Sequence, residues 1–227
     1  MGRAKLPRKS TNIDMTAMCD VAFLLLSFFI LAAKFKPPEA LKVTTPNSVY
    51  TRIVPERNVL MVTIDKAGKV YLSFSDNNTA EKADIIDAIN TSKNLGLTAQ
   101  EKAAFSKQPT AYIGAPFSQL KAFLDRLAVP DGLKDVNLSG IPVKDSANNE
   151  LIDWVRAAKS AFSSSALAMK IVIRGDNDSK YPSFQGVIYS FKKNDELKFQ
   201  LVTSPVSVPS GTDLWQLNQK TNTKGAS

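Results

Sequence analysis

The 227-residue sequence contains no histidine and a single cysteine, Cys19. Without histidine the chain cannot form a Ser-His-Asp or Cys-His catalytic arrangement, because an imidazole acts as the base in both. One thiol permits no disulfide within the chain, and a Cys/His metal site is excluded for the same reason. Since no other nucleophile–base pair is recognisable, the sequence predicts a protein that is not an enzyme and that needs no metal or other cofactor.

Acidic residues are also in deficit, with 21 Asp and Glu against 29 Lys and Arg, a formal net charge of +8 at pH 7. Half of this excess lies in residues 1–42, where seven basic side chains stand against three acidic ones. Basic residues on both sides of an apolar segment are typical of membrane proteins. The charge distribution therefore predicts contact with a membrane and no nucleic-acid partner.

Between these basic flanks, residues 15–33 carry only one charge, that of Asp20. A helix that crosses the hydrocarbon core of a bilayer needs about 20 residues, and about 17 are tolerated. A signal peptide usually has a shorter, uncharged apolar region, and a buried helix of a soluble domain fits poorly with the proline-rich stretch that follows. We therefore predict a transmembrane helix over 15–33, with the basic N-terminus (1–14) in the cytoplasm.

Asp20 shares one side of this predicted helix with two other polar residues. At about 100° per residue, Thr16, Asp20 and Ser27 fall within about 40° of one another. An ionised aspartate near the middle of a membrane helix costs about 2.5–3.5 kcal/mol, so it must face a partner or water, or become neutral. A carboxyl in this position can load and release protons, with Thr16 and Ser27 in support. Alternatively, Asp20 lies near the headgroups and serves only helix assembly.

The segment NIDMTAMCDVAFLLLSFFIL (12–31) resembles the membrane helix of the ExbD/TolR family, which carries the signature I-N-V/M-T-P-x-x-D-V before an aliphatic run. The matching residues are Ile13, Met15, Thr16, Asp20 and Val21. Asp14, where the helix begins, stands at a position that is commonly asparagine, and Ala17 replaces the usual proline. The segments LKVTTPNS, NVLMVTIDKAGKVYL and MKIVIRGDNDSKYPSFQGVIYSFKKNDELKFQLVTS also resemble segments of the family, whereas about residues 92–166 read as an insertion.

This resemblance implies a function. Members of the family are minor subunits of proton-driven motors in the inner membrane of Gram-negative bacteria, where a homodimer sits inside a pentameric ring of an ExbB/TolQ-type partner. The family's transmembrane aspartate, matched by Asp20, is taken to carry the proton. The outer domain engages a TonB-type transducer, or the cell wall in TolR-like members. The alternative is a membrane-anchored periplasmic binding or scaffold protein that conducts no protons.

Beyond the apolar segment, the sequence predicts a proline-rich periplasmic linker over 34–57. A periplasmic α+β domain follows over 58–203, with one small sheet and helices on one face, because runs of strand and helix pattern alternate there. The helical insertion over about 92–166 lies inside this domain. The tail, 204–227, is rich in Ser, Pro, Thr, Asn and Lys and is predicted to be disordered.

Local signals place the elements of the domain. Two β-rich runs separated by DKAG predict a hairpin, and two later runs predict strands on either side of a helix that follows Pro182. The predicted strands are 59–64, 69–74, 167–173 and 197–203. Helix starts are predicted at the pairs Asn78/Glu81 and Thr98/Glu101 and at Pro116. A further helix is predicted from an apolar repeat, with Trp154 beside it; the repeat consists of Leu151, Val155, Ala158 and Phe162.

Overall fold

The computed structural model describes residues 15–32, 41, 43–49, 54–107, 112–129, 138–144, 148–212 and 215. The chain divides into two compact units, residues 1–39 and 40–227. The described part of the first unit is a single helix. The second unit is an α+β domain that contains every strand among the residues given above.

The helix of the first unit, α1, spans Met15–Ala32. All of its residues lie within the span predicted as a helix, 15–33. Its sequence contains neither glycine nor proline and is rich in Leu, Ala and Met, which favour the helical backbone. Within the part of the chain that the structure describes, no helix combines the length and the apolar character required to cross a membrane.

Strands of the second unit form two sheets. The strands are β1 (Asn47–Ser48), β2 (Val59–Ile64), β3 (Val70–Phe74), β4 (Lys170–Gly175), β5 (Phe199–Leu201) and β6 (Ser204–Pro205). The larger sheet has the order β3-β2-β4-β5, in which β2 pairs antiparallel with β3 and parallel with β4, and β4 pairs parallel with β5. The smaller sheet is the parallel pair of β1 and β6.

Helices cover one face of the larger sheet, as the sequence predicted. They are α2 (Thr79–Lys93), α3 (Ala99–Lys107), α4 (Phe117–Leu127), α5 (Leu151–Ser164) and α6 (Tyr181–Lys193). Their buried apolar residues share one cluster with Leu60, Val62 and Ile64 of β2, alternate residues that point to the same side of the strand. Val59 and Val172 are buried as well but lie outside this cluster, on the opposite face.

The predicted insertion is part of the domain's core. Trp154 of α5 is fully buried, and its ring stacks at centroid distances of 6.0 Å on Phe105 and 5.7 Å on Phe117. Two further residues of this segment pair with the outer edge of β3: Ile113 exchanges backbone hydrogen bonds of 2.7 and 2.9 Å with Leu72, and the N–H of Ile141 donates to Val70 at 2.7 Å. The insertion thus packs on the helical face and also covers one sheet edge.

The starts of β4 and α2 differ from the predictions. β4 begins at Lys170 rather than at 167, because the end of α5 uses the preceding residues: Ala166 has a φ of 55°, and the N–H of Leu167 donates to Phe162 at 2.9 Å. A left-handed residue followed by such a bond is a common helix termination. Asn78 precedes α2 but its side chain does not cap the helix; its Oδ1 accepts from the N–H of Asn58 at 3.1 Å instead.

The predicted capping box at α3 is confirmed. The N–H of Glu101 donates to Thr98 Oγ1 at 3.3 Å, and the N–H of Thr98 donates to Glu101 Oε2 at 2.5 Å. The predicted hairpin forms over β2 and β3, and the apolar residues of the predicted repeat are buried in α5. β5 is shorter than the predicted strand over 197–203 and spans three residues.

Candidate functional site

Two places in the described chain relate to the predicted function, and the first is the polar side of α1. Thr16, Asp20 and Ser27 all lie within this helix, so at about 100° per residue they share one side of it. Ser27 donates its hydroxyl to the carbonyl of Leu24 at 2.9 Å, one turn back in the same helix. Asp14, predicted where the helix begins, lies outside the described residues.

Asp20 is the only charged residue of α1, and its side chain is exposed. Every large apolar side chain of this helix is more than half exposed, from 53% at Leu25 to 87% at Leu31. Asp20 therefore places the one carboxyl group of α1 among exposed apolar side chains.

The second place is the attachment of residues 43–48 to the folded domain. We call the contacts of Thr44 with Asp176 and Asn177 the Asp176 clasp. The Oδ2 of Asp176 accepts from the N–H of Thr44 at 2.9 Å, and the N–H of Asn177 donates to the carbonyl of Thr44 at 2.8 Å. The bond between Thr44 and Asp176 joins residues 132 positions apart in the sequence. The clasp therefore fixes a residue within the predicted linker, 34–57, to the loop between β4 and α6.

A short strand pair continues this attachment. The N–H of Ser204 donates to the carbonyl of Pro46 at 2.9 Å, and the N–H of Val206 donates to Ser48 at 3.0 Å. The hydroxyls of Thr45 and Ser204 lie 2.7 Å apart and share a hydrogen bond. β1 and β6 thus connect residues from the predicted linker with the first residues of the predicted tail.

Asp176 is well suited to hold this attachment as a charged group. Its side chain is 8% exposed, and its Oδ1 accepts a second backbone hydrogen bond, from Asp178, at 3.0 Å. The N–H groups of Asp178 and Thr44 hold the pKa of Asp176 below its ordinary value, since both bonds favour the ionised carboxylate. The carboxylate is therefore charged, and the clasp formed, at neutral pH.

The sequence did not identify this site. The Oδ1 of Asp176 accepts from the N–H of Asp178, two residues later, which is a common local turn in a segment such as RGDNDSKY. Nothing local indicates that the second oxygen of Asp176 binds Thr44. Across the described ranges, no three His, Cys, Asp or Glu side chains come together in a group that could hold a metal ion.

Comparison with known proteins agrees with the resemblance seen in the helix signature. The family model described as biopolymer transport protein ExbD/TolR matches residues 7–206. Biopolymer transport protein exbD2 of Vibrio cholerae serotype O1 is 26% identical over 72 residues, which make up 32% of this chain and 53% of that protein. No solved structure gives a significant match. Because the family match covers most of the chain, this protein belongs to the ExbD/TolR family of biopolymer transport proteins.

Proposed function

We propose that this protein is the ExbD/TolR-type subunit of an inner-membrane motor in which Asp20 carries protons and the outer domain passes force to a TonB-type transducer. The observation that supports this most is the lone carboxyl of Asp20, which lies with Thr16 and Ser27 on one side of an otherwise apolar helix. The family match includes this helix, since it begins at residue 7. The motor would energise transport across the outer membrane.

In this proposal α1 is the membrane anchor, with the N-terminus in the cytoplasm and the domain from residue 58 onward in the periplasm. Two copies of the chain would place their helices inside a pentameric ring of an ExbB/TolQ-type partner. The ring would cover the exposed apolar side chains of α1 and provide a polar site for the ionised Asp20. An uncompensated charge costs about 2.5–3.5 kcal/mol at the centre of a membrane helix, so protonation would change which contacts α1 prefers.

The driving force is comparable in size to this cost. One elementary charge that crosses the membrane potential releases about 2.3 kcal/mol per 100 mV. Protonation from the periplasmic side would neutralise Asp20 and allow α1 to shift inside the ring. Release of the proton to the cytoplasm would restore the charge and its attraction to the polar site, which makes the shift directional.

Force from α1 would reach the outer domain through residues 34–48, and the Asp176 clasp is the first described attachment that it meets. The carbonyl and the N–H of Thr44 are both bonded to the loop after β4, a strand at the centre of the larger sheet. A pull on the linker would therefore act on the sheet directly. This arrangement supports a role for the clasp in transmission.

The decisive experiment replaces Asp20 by Asn, which keeps the shape of the side chain but cannot exchange a proton near neutral pH. We expect normal expression, normal assembly with the ring partner, and at least a tenfold loss of proton flux into proteoliposomes and of transport of a TonB-dependent substrate. Cys19→Ala, a small change next to Asp20 but outside the side of α1 that carries Thr16, Asp20 and Ser27, serves as the matched control and should retain flux within about twofold.

Intact assembly with unchanged flux and transport in the Asp20→Asn protein would refute proton transfer by Asp20. That result would favour the alternative of a membrane-anchored scaffold or binding protein. Loss of assembly together with transport would also count against the proposal, because it would assign Asp20 a role in helix packing alone.

A further inference from the structure

Two short pieces of the predicted insertion lie along the outer edge of β3. Ile113 exchanges backbone hydrogen bonds of 2.7 and 2.9 Å with Leu72, and the N–H of Ile141 donates to the carbonyl of Val70 at 2.7 Å. Three backbone groups of this edge are therefore bonded to the insertion. We call the two pieces together the edge cover; they are residues 113–114 and 140–141.

The edge cover is a closely packed contact. Its two pieces bond to each other, since the N–H of Gly140 donates to the carbonyl of Gly114 at 2.8 Å. The side chains of Ile113 and Ile141 are buried in the core cluster of the domain. The backbone at Gly114 approaches β3 so closely that an added Cβ would meet the ring of Tyr71 at 2.4 Å. The cover is thus fixed both by backbone bonds and by apolar packing.

The two outer strands of the larger sheet differ in how they are protected. β5 spans only three residues, and its Leu201 is 53% exposed. β3 spans five residues, all of them buried. Proteins limit unwanted pairing at sheet edges with short strands or with a segment that covers the edge. Without the cover, the longer and more apolar of the two edges would present unpaired backbone groups that another strand could bond.

β3 itself has a sequence that suits this edge. If two copies of VYLSF pair antiparallel about Leu72, Val70 lies opposite Phe74 and Tyr71 lies opposite Ser73. The central pair is Leu72 with Leu72 of the second copy. Apolar side chains then face one another on the side of the core, and no like charges are opposed, which favours cross-strand pairing. The edge is therefore complementary to itself.

Ile113 occupies the position that Leu72 of a second copy would take. In an antiparallel pair, two directly opposite residues can exchange both of their backbone hydrogen bonds. Leu72 makes this exchange with Ile113, so its N–H and its carbonyl both face the outer edge. Isoleucine also resembles leucine in size and apolar character. The edge cover thus reproduces, within one chain, the central contact of a β3–β3 pair.

We propose that the edge cover is an autoinhibitory contact, which occupies the place of β3 from a second copy and prevents two copies from pairing through this edge. Its importance in the motor rests on the proposed function, in which two copies share one ring. Domains tethered in this way meet at an effective concentration of the order of millimolar, so an uncovered edge would join them. The cover would keep the two outer domains separate at β3. Whether Asp20 carries protons does not affect this contact.

The test uses the full-length chain in nanodiscs and a fluorescent peptide with the sequence of residues 69–75, KVYLSFS. Ile113→Pro removes the N–H that donates to Leu72, so we expect it to bind the peptide at least tenfold more tightly than the wild-type chain does. Ser118→Pro is the matched control. It places proline at an exposed residue in the first turn of α4, where the helix requires no bond from the N–H, and its affinity should stay within twofold of wild type.

Two N-methylated peptides test the proposed register. Methylation of the Leu72 nitrogen removes the donor that would face Leu72 of the protein, and it should weaken binding to Ile113→Pro at least tenfold. Methylation of the Tyr71 nitrogen alters a group that faces away from the protein edge, because neighbouring residues of a strand direct their N–H groups to opposite sides. That peptide should bind within threefold of the unmodified one.

A second variant opens the edge by another route. In Gly114→Val the side chain would collide with the ring of Tyr71, which should displace the cover and also strengthen peptide binding at least tenfold. Thermal unfolding identifies the variants that remain folded. The proposal fails if a folded variant binds the peptide no better than wild type, or if both methylated peptides bind equally well. Unfolding of both variants would also refute it, because the cover would then be required for folding and could not be a separable contact.

Discussion

Replacement of Asp176 by Ala should release the attachment of residues 43–48 without unfolding the domain. The change removes the acceptor of two backbone hydrogen bonds, from Thr44 at 2.9 Å and Asp178 at 3.0 Å. A hydrogen bond to a charged group contributes about 1.5–3 kcal/mol. Because Thr44 is exposed, water replaces part of the lost bond, so we expect the clasp to lose about 2 kcal/mol. That corresponds to about a 30-fold increase in the open population.

Hydrogen exchange followed by mass spectrometry measures this directly. Exchange of the peptides that contain 43–48 and 204–206 should become about 30-fold faster in Asp176→Ala, while the strands of the larger sheet keep their protection. Asp178→Ala is the matched control, since it lies in the same loop and its carboxylate makes an exposed ion pair with Lys66 at 2.8 Å. Equal exchange rates in the two variants would show that the Asp176 carboxylate does not hold the attachment.

The clasp should also open in acid. The pKa of Asp176 is held below its ordinary value, so its contribution is complete above about pH 3.9, the pKa of an unfolded aspartate, and is lost as pH falls below that value. Exchange of 43–48 in the wild-type protein, corrected for the intrinsic pH dependence, should therefore accelerate only below about pH 4. Asp176→Ala should lack this acceleration.

Two further predictions concern the core. Gly186→Ala should lower the free energy of unfolding by about 1–3 kcal/mol in urea titrations, because the added Cβ would displace the Val143 carbonyl. An unchanged urea midpoint would mean that α6 and residues 139–144 can move apart without loss of stability. Trp154→Ala should lower the free energy of unfolding, followed by far-UV circular dichroism, by about 3–5 kcal/mol, because a fully buried ring that stacks on Phe105 and Phe117 is lost. A decrease of less than about 1 kcal/mol would show that the insertion folds independently of this cluster.

Features with local sequence signals were predicted well. The hairpin of β2 and β3 follows from two β-rich runs around a glycine turn, and the start of α3 follows from a capping box whose two bonds join residues three positions apart. Burial of the apolar face of α5 follows from periodicity. In each case the residues that determine the structure are close in sequence, so a short window contains the necessary information.

The Asp176 clasp could not be predicted in this way. Thr44 and Asp176 are 132 residues apart, and Thr45 and Ser204 are 159 residues apart. Their bonds form only because the larger sheet first brings the two segments together. The same holds for the close approach of the Val143 carbonyl to Gly186 of α6. Sequence periodicity does not indicate which distant segments of the chain will be in contact.

The parallel direction of β1 and β6 has a mechanical consequence. In a parallel pair, the N-terminal ends of the two strands lie side by side. A load applied between these two ends therefore acts on the hydrogen bonds one after another. A pull on the chain ahead of residue 43 enters β1 at that end, and β6 joins β5 through its own N-terminal end. Such a pair opens bond by bond, first at Thr44 and then at Pro46, so a load reaches the larger sheet only while the Asp176 clasp holds.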